Sequence, residues 1–186
     1  AGSLLHLDIK KLGRFLRPGH RVTGARRGHT SRGVGWDFVH VCIDDHSRVS
    51  YVEILPDERK ESVVAFFQRA KAYYESLGVR VEQVMTDNGS AYRSRLFNRL
   101  LDASGIRHLF TRPYTPRTNG KAERFIQTVL REWAYGRRYR TSHLRARALW
   151  PWLHDYNWHR PHGSLNRQPP VSRLGLSVNN LRKFHN

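Results

Sequence analysis

The segment VRVEQVMTDNGSAYRSRLFNRLLDASGIRHLFT, Val79 to Thr111, alternates strand, helix and strand. Val79 to Thr86 is rich in β-branched and apolar residues and runs into Asp87-Asn88-Gly89, a turn sequence, so it reads as a strand. Ser90 stands where an N-cap would start a helix, with Leu96, Phe97, Leu100 and Leu101 as its apolar positions and Gly105 at its close. Ile106 to Thr111 follows as a short strand.

Upstream, Leu4 to Ile9 (LLHLDI) alternates enough for a strand, with Asp8 near its end. Arg14 to Gly33 is basic and punctuated by glycines, which predicts a mobile loop. Trp36 to Asp44 places Val39, Val41 and Ile43 on one face; after Asp45-His46-Ser47 a partner strand runs from about Arg48 to Leu55, closing a hairpin. Asp44 and Asp45 are accounted for by that turn, which favours Asp on local grounds. Pro56-Asp57 and Gly78 bound a helix with Val63, Phe67, Ala70, Tyr74 and Leu77 in one stripe. Downstream lie a Pro- and Gly-containing loop, Arg112 to Gly120 (RPYTPRTNG), and a helix from Lys121 that buries Ala122, Phe125, Ile126, Val129 and Trp133. Ser142 caps a further Trp-rich helix, and the chain from Pro161 reads as irregular. This order predicts an α/β fold: a mixed central sheet of about five strands with α-helices on both sides. Residues 4–175 are expected to form one core, with Ala1-Gly2-Ser3 an expression scar and 176–186 a tail.

Composition narrows the function classes. The 186 residues carry 33 Lys and Arg against 15 acids, a net charge of +18, so a polyanion is the expected partner. No apolar run is long enough to span a bilayer and no basic amphipathic helix suits a membrane surface. Cys42 is the only cysteine, which excludes a disulfide framework and a Cys-based zinc site and fits a reducing, cytosolic compartment. His154, His159 and His162 sit among Trp and Pro, where packing explains them better than zinc. Trp150, Trp152, Tyr156 and Trp158 read as core or as a docking surface.

Against this basic background three acids stand at the ends of elements: Asp8 in an apolar strand, Asp87 closing another, Glu123 in the first turn of a helix. Taken singly, Asp87 suits a turn and Glu123 a helix N-terminus. Neighbouring strands and a helix packed on them would gather all three. Three like charges in one place repel unless a cation sits among them, and hard oxygen ligands favour Mg²⁺ or Mn²⁺.

HLDIKKLGRF from His6, YVEILPDER from Tyr51, TDNGSAYRS from Thr86, RPYTPRTNGKAERF from Arg112, YNWHRPH from Tyr156 and RQPPVSRL from Arg167 resemble the integrase-type catalytic core of bacterial insertion-sequence transposases, related to retroviral integrases. The resemblance spans about Leu4 to Leu174. That family's signature is two aspartates and a glutamate with 35 residues between the second and third, and 35 residues stand between Asp87 and Glu123. The resemblance implies an RNase H-like fold. It also implies two Mg²⁺ or Mn²⁺ ions per substrate-loaded site, bridged by Asp8 and held singly by Asp87 and Glu123. The partners it implies are double-stranded DNA, as transposon ends and as target, and a homodimer or higher multimer, since two ends must be paired. A bacterial, cytoplasmic and nucleoid-associated protein is expected, and relatives carry a helix-turn-helix region before this core. Rival readings are an RNase H-like nuclease without strand transfer, and a domesticated core that only binds DNA.

Lys121, Arg124, Gln127 and Arg131 flank Glu123 and suit phosphate contact, as do Lys10 and Lys11 beside Asp8 and Arg26 and Arg27 in the basic loop. The competing reading for each is a solvated surface. The basic loop is either a DNA clamp or a solubilising segment; Asn119 either caps its helix or touches DNA, and Asn88 either meets substrate or shapes its turn.

Overall fold

The computed structural model describes residues 1–18, 23–24, 34–111 and 120–176. Arg26, Arg27 and Asn119, with most of the basic loop and of the 112–120 loop and the tail from 177, lie outside the described residues.

Five strands form one sheet: β1 (Leu5–Gly13), β2 (Trp36–Asp44), β3 (Ser50–Leu55), β4 (Gln83–Thr86) and β5 (Arg107–Phe110), in the order β3-β2-β1-β4-β5. β1 pairs antiparallel with β2 and parallel with β4, so the sheet is mixed, with β1 at its centre. Helices α1 (Lys60–Ser76), α2 (Arg95–Ala103), α3 (Gly120–Thr128), α4 (Ser142–Arg147) and α5 (Leu149–Trp158) cover it. α3 runs into a π-helical turn, Val129–Ala134, and short 3₁₀ turns follow at Gly163–Leu165 and Pro170–Leu174.

Strand alternation splits the hydrophobic residues into two cores, one on each face. Leu5 and Leu7 of β1 pack with Val63, Phe67 and Tyr74 of α1 and Phe97 of α2. Leu12 of β1 and Val39, Val41 and Ile43 of β2 pack with Phe125 and Ile126 of α3, Trp133 of the π turn and Leu153 of α5. The same alternation puts Asp8 on the α3 face of β1, in step with Leu12. Among the described residues no helix is long and apolar enough to cross a membrane.

Four details differ from the sequence reading. β1 continues past Ile9 to Gly13 because Lys10 and Lys11 pair with Val39 and Phe38, so those lysines are strand residues. The cap of α2 is Ser94, whose hydroxyl accepts the Phe97 N–H at 3.2 Å; Ser90 lies in the preceding turn. Thr141, not Ser142, caps α4, and the Trp-rich helix is the separate α5. Gly2 is built into the fold: its N–H donates to Asp44 Oδ1 at 2.7 Å and its carbonyl accepts from Glu82.

Candidate active site

The central strand sets the site. β1 and β4 pair in parallel with Leu5 beside Val84 and His6 beside Met85; two residues further in the same register, Asp8 comes level with Asp87. Asp8 is largely buried, and its Oδ1 accepts the Ile9 N–H at 2.7 Å. Its pKa is raised to about 6, chiefly by burial, and the nearby negative charges of Asp87 and Glu123 push it further. The Ile9 N–H and, more weakly, Lys10 act in the opposite direction. The three acids, remote in sequence, are therefore close enough for their charges to act on one group.

Asp87 is exposed at the mouth of this strand pair, held by its turn. Its Oδ1 accepts the Gly89 N–H at 2.9 Å, and a Cβ on Gly89 would stand 2.9 Å from that same oxygen, so a side chain there would displace the carboxylate. Asn88 donates to the Thr111 carbonyl at 3.0 Å, so its amide shapes the turn. Glu123 is exposed in the first turn of α3, whose opposite face buries Ala122, Phe125 and Ile126.

From Glu123 a surface groove of about 920 Å³ runs along α3 and the π turn, lined by Gly120, Glu123, Arg124, Gln127, Leu130, Arg131 and Tyr135. Arg124, Gln127 and Arg131 thus share one groove with Glu123. Lys121 does not line it: its ammonium bonds Asp45. Lys10 is exposed on β1, while Lys11 pairs with Glu58 and lies over the Phe38 ring. Leu130 and Tyr135 were missed at the level of sequence, although Glu123, Gln127, Arg131 and Tyr135 recur at every fourth position. The π turn, in which the Tyr135 N–H reaches back five residues to the Leu130 carbonyl, keeps them on one side. Gly136 completes it, since a Cβ there would come within 2.3 Å of the Glu132 carbonyl.

Among the described residues no cluster of three or more His, Cys, Asp and Glu is gathered as a ready metal site, the carboxylate triad included. The acids interact through space rather than as closed ligand geometry. His154 and His159 face each other at 3.3 Å, with His154 stacked on Trp158, and His162 packs edge-on to Tyr156. Tyr156 is core, whereas Trp150 is 54% exposed.

Comparisons with known proteins bear on the family and the fold. Residues 6–116 match the integrase core domain family, and residues 104–170 match a second integrase core domain description. The chain belongs to the integrase core domain family. Its sheet and helices have the RNase H-like fold of retroviral integrase cores. The catalytic core domain of BIV integrase superposes with a TM-score of 0.64 at 17% identity, over 92% of this chain and 93% of that one. The HTLV-2 integrase catalytic core, solved with magnesium in a dimeric form, gives 0.58 at 16% identity over 87% and 90%. Among sequences, an uncharacterized insertion element IS476 protein of Xanthomonas euvesicatoria is 28% identical over 145 residues, 73% of this chain and 42% of that protein. The Pol polyprotein of transposon TNT 1-94 from Nicotiana tabacum is 40% identical over 89 residues, 47% of this chain and 7% of that protein. The chain thus corresponds to less than half the length of either relative.

Proposed function

We propose that this chain is the catalytic core of a transposase that uses Asp8, Asp87 and Glu123, with divalent metal, to cleave and join DNA strands. The observation that carries the reading is the partly buried Asp8 carboxyl, raised to about 6 chiefly by burial, with Asp87 and Glu123 adding to the shift. A cation is what such a group of like charges lacks, and its all-oxygen donors suit Mg²⁺ or Mn²⁺. Asp8, Asp87 and Glu123 are the residues that would hold such ions. Bound there, such ions activate an attacking oxygen and stabilise a leaving one.

The chain's own residues do the rest. Arg124, Gln127 and Arg131 hold the DNA backbone along the groove, which fixes the register of the phosphate beside Glu123. The turn bonded through Asn88 and Gly89 keeps Asp87 in place, and the apolar face of α3 anchors Glu123. In the first step a water oxygen bonds to phosphorus at the transposon end as the bond to the 3′-oxygen breaks, releasing a 3′-hydroxyl. In the second, that hydroxyl attacks a target phosphodiester and displaces another 3′-oxygen. No bond between protein and DNA is formed. Pairing of two ends requires at least a homodimer, which the dimeric form of the HTLV-2 core supports. Insertion-element relatives support a bacterial cytoplasmic setting, and action on DNA would bring the protein to the nucleoid.

Incubation with pre-cleaved end DNA, Mg²⁺ and a target plasmid should yield joined products. Asp87→Asn should lower joining by roughly a thousandfold or more, the loss of several kcal/mol of charge stabilisation, with DNA binding retained. Cleavage without joining would favour a nuclease, and binding without chemistry a domesticated core. Joining undiminished in Asp87→Asn would remove that residue from the site.

A further inference from the structure

His6 and Lys121 each stand two residues before a triad member, Asp8 on β1 and Glu123 on α3. Both meet the same side chain, Asp45, in the turn between β2 and β3. His6 Nε2 lies 2.8 Å from Asp45 Oδ1, and Lys121 Nζ donates to Oδ2 at 2.5 Å. The ammonium also reaches the Asp45 carbonyl at 3.5 Å. One carboxylate therefore spans the joint between the strand of Asp8 and the helix of Glu123.

The turn that carries Asp45 is stiff. Asp44 Oδ2 accepts the N–H and the hydroxyl of Ser47, each at 2.6 Å, and Asp44 Oδ1 accepts from Gly2. The Asp45 N–H donates to the Leu4 carbonyl at 2.9 Å, which docks its backbone to the start of β1. Burial pushes the Asp45 carboxyl up, but Lys121 and His6 outweigh it and hold the group below the usual carboxylate range. Lys121, meanwhile, is absent from the groove that Arg124, Gln127 and Arg131 share.

We infer that Asp45 is a positioning residue: by bridging His6 and Lys121 it sets the first turn of α3, and with it Glu123, against the strand that carries Asp8. The inference rests on the triad reading above. A half-exposed ion pair adds little to global stability, so its effect is local. Small misplacements of a reacting group, by contrast, are costly.

The test compares the wild-type chain with Asp45→Asn, with Lys121→Met, with these two combined, and with the exchanged pair Asp45→Lys/Lys121→Asp. In metal-free protein, exchange of the amides that close the first turn of α3, Arg124 to Gln127, should quicken by roughly tenfold in both single variants, as local opening becomes easier, and recover in part in the exchanged pair. In the joining assay each single variant should lose roughly tenfold to a hundredfold in rate, the scale of a misplaced group, and need more Mn²⁺ for half-maximal rate. The combined variant should be no worse than either single one, because both remove one interaction. DNA affinity and its salt dependence should match the wild type throughout. Unchanged exchange in both single variants overturns the inference, as does a loss of DNA affinity in Lys121→Met that Asp45→Asn lacks. Should Asp45→Asn fail to fold, Lys121→Met and the exchanged pair carry the same readouts. If the wild type joins no DNA yet the exchange pattern holds, the transposase reading falls while the tie between strand and helix stands.

Discussion

Two largely buried carboxylates on adjacent strands, Asp37 of β2 and Asp8 of β1, are treated in opposite ways. Asp37 is neutralised: Arg14 Nε donates to its Oδ1 at 2.6 Å and Arg145 Nη2 to its Oδ2 at 2.9 Å. Arg145 is itself buried, bonds the Gly13 carbonyl and lies over the Phe15 ring. Asp8 accepts one backbone N–H, no salt bridge reaches it among the described residues, and two of its charged neighbours share its sign. A chain with a net charge of +18 does not lack arginines to place there. The acid with protein cations on both oxygens is scaffold; the acid left among its own kind is the one proposed to take a cation from solution.

The contrast breaks first at Asp37. Asp37→Asn would leave Arg145 buried without its counter-charge, and urea unfolding should register a loss of about 3–5 kcal/mol. A loss below about 1 kcal/mol, the range of exposed pairs, would deny Asp37 its structural role.

Asp8→Asn should act in the other direction on metal-free protein. Its folded pKa of about 6 exceeds the ordinary 3.8, so between those values the native state holds the extra proton. The stability due to that proton is complete below pH 3.8 and is lost as pH rises through about 6. Removing the carboxylate should therefore stabilise the protein in EDTA at pH 8 by on the order of 1–3 kcal/mol. The gain should vanish below pH 3.8, as unfolding curves at both pH values would reveal. Destabilisation at pH 8 would make Asp8 a scaffold residue like Asp37.

The smallest effect belongs to the groove. Arg131→Ala should reduce the slope of log affinity against log salt by about 1, the share of one phosphate contact. An unaltered slope would separate the groove from the DNA path.

Much of this contrast was legible in the residues themselves. Asp8, Asp87 and Glu123 stand out because each is an acid at the end of an element in a basic chain, and β2 is delimited correctly because alternation and turn chemistry agree at both its ends. The extension of β1 over Lys10 and Lys11 comes from their partners on β2, which local composition does not encode. Ser90 and Ser94 are equivalent as caps in sequence; in the structure the residues between them form turns, with the Arg93 N–H donating to the Gly89 carbonyl and the Ser94 N–H to the Ala91 carbonyl. The pairing of Asp37 with Arg145 spans 108 positions, and a carboxylate that spans two elements, as Asp45 does, looks in sequence like any hairpin aspartate. The π turn left only the fourfold spacing from Glu123 to Tyr135 as a trace.

The most direct measurement is an NMR titration of the Asp8 carboxyl carbon in the metal-free chain and again in saturating Mg²⁺. The midpoint should lie near 6 without metal and fall into the ordinary carboxylate range when Mg²⁺ is added. A midpoint that is the same with and without Mg²⁺ would contradict the proposed role of Asp8 in holding metal.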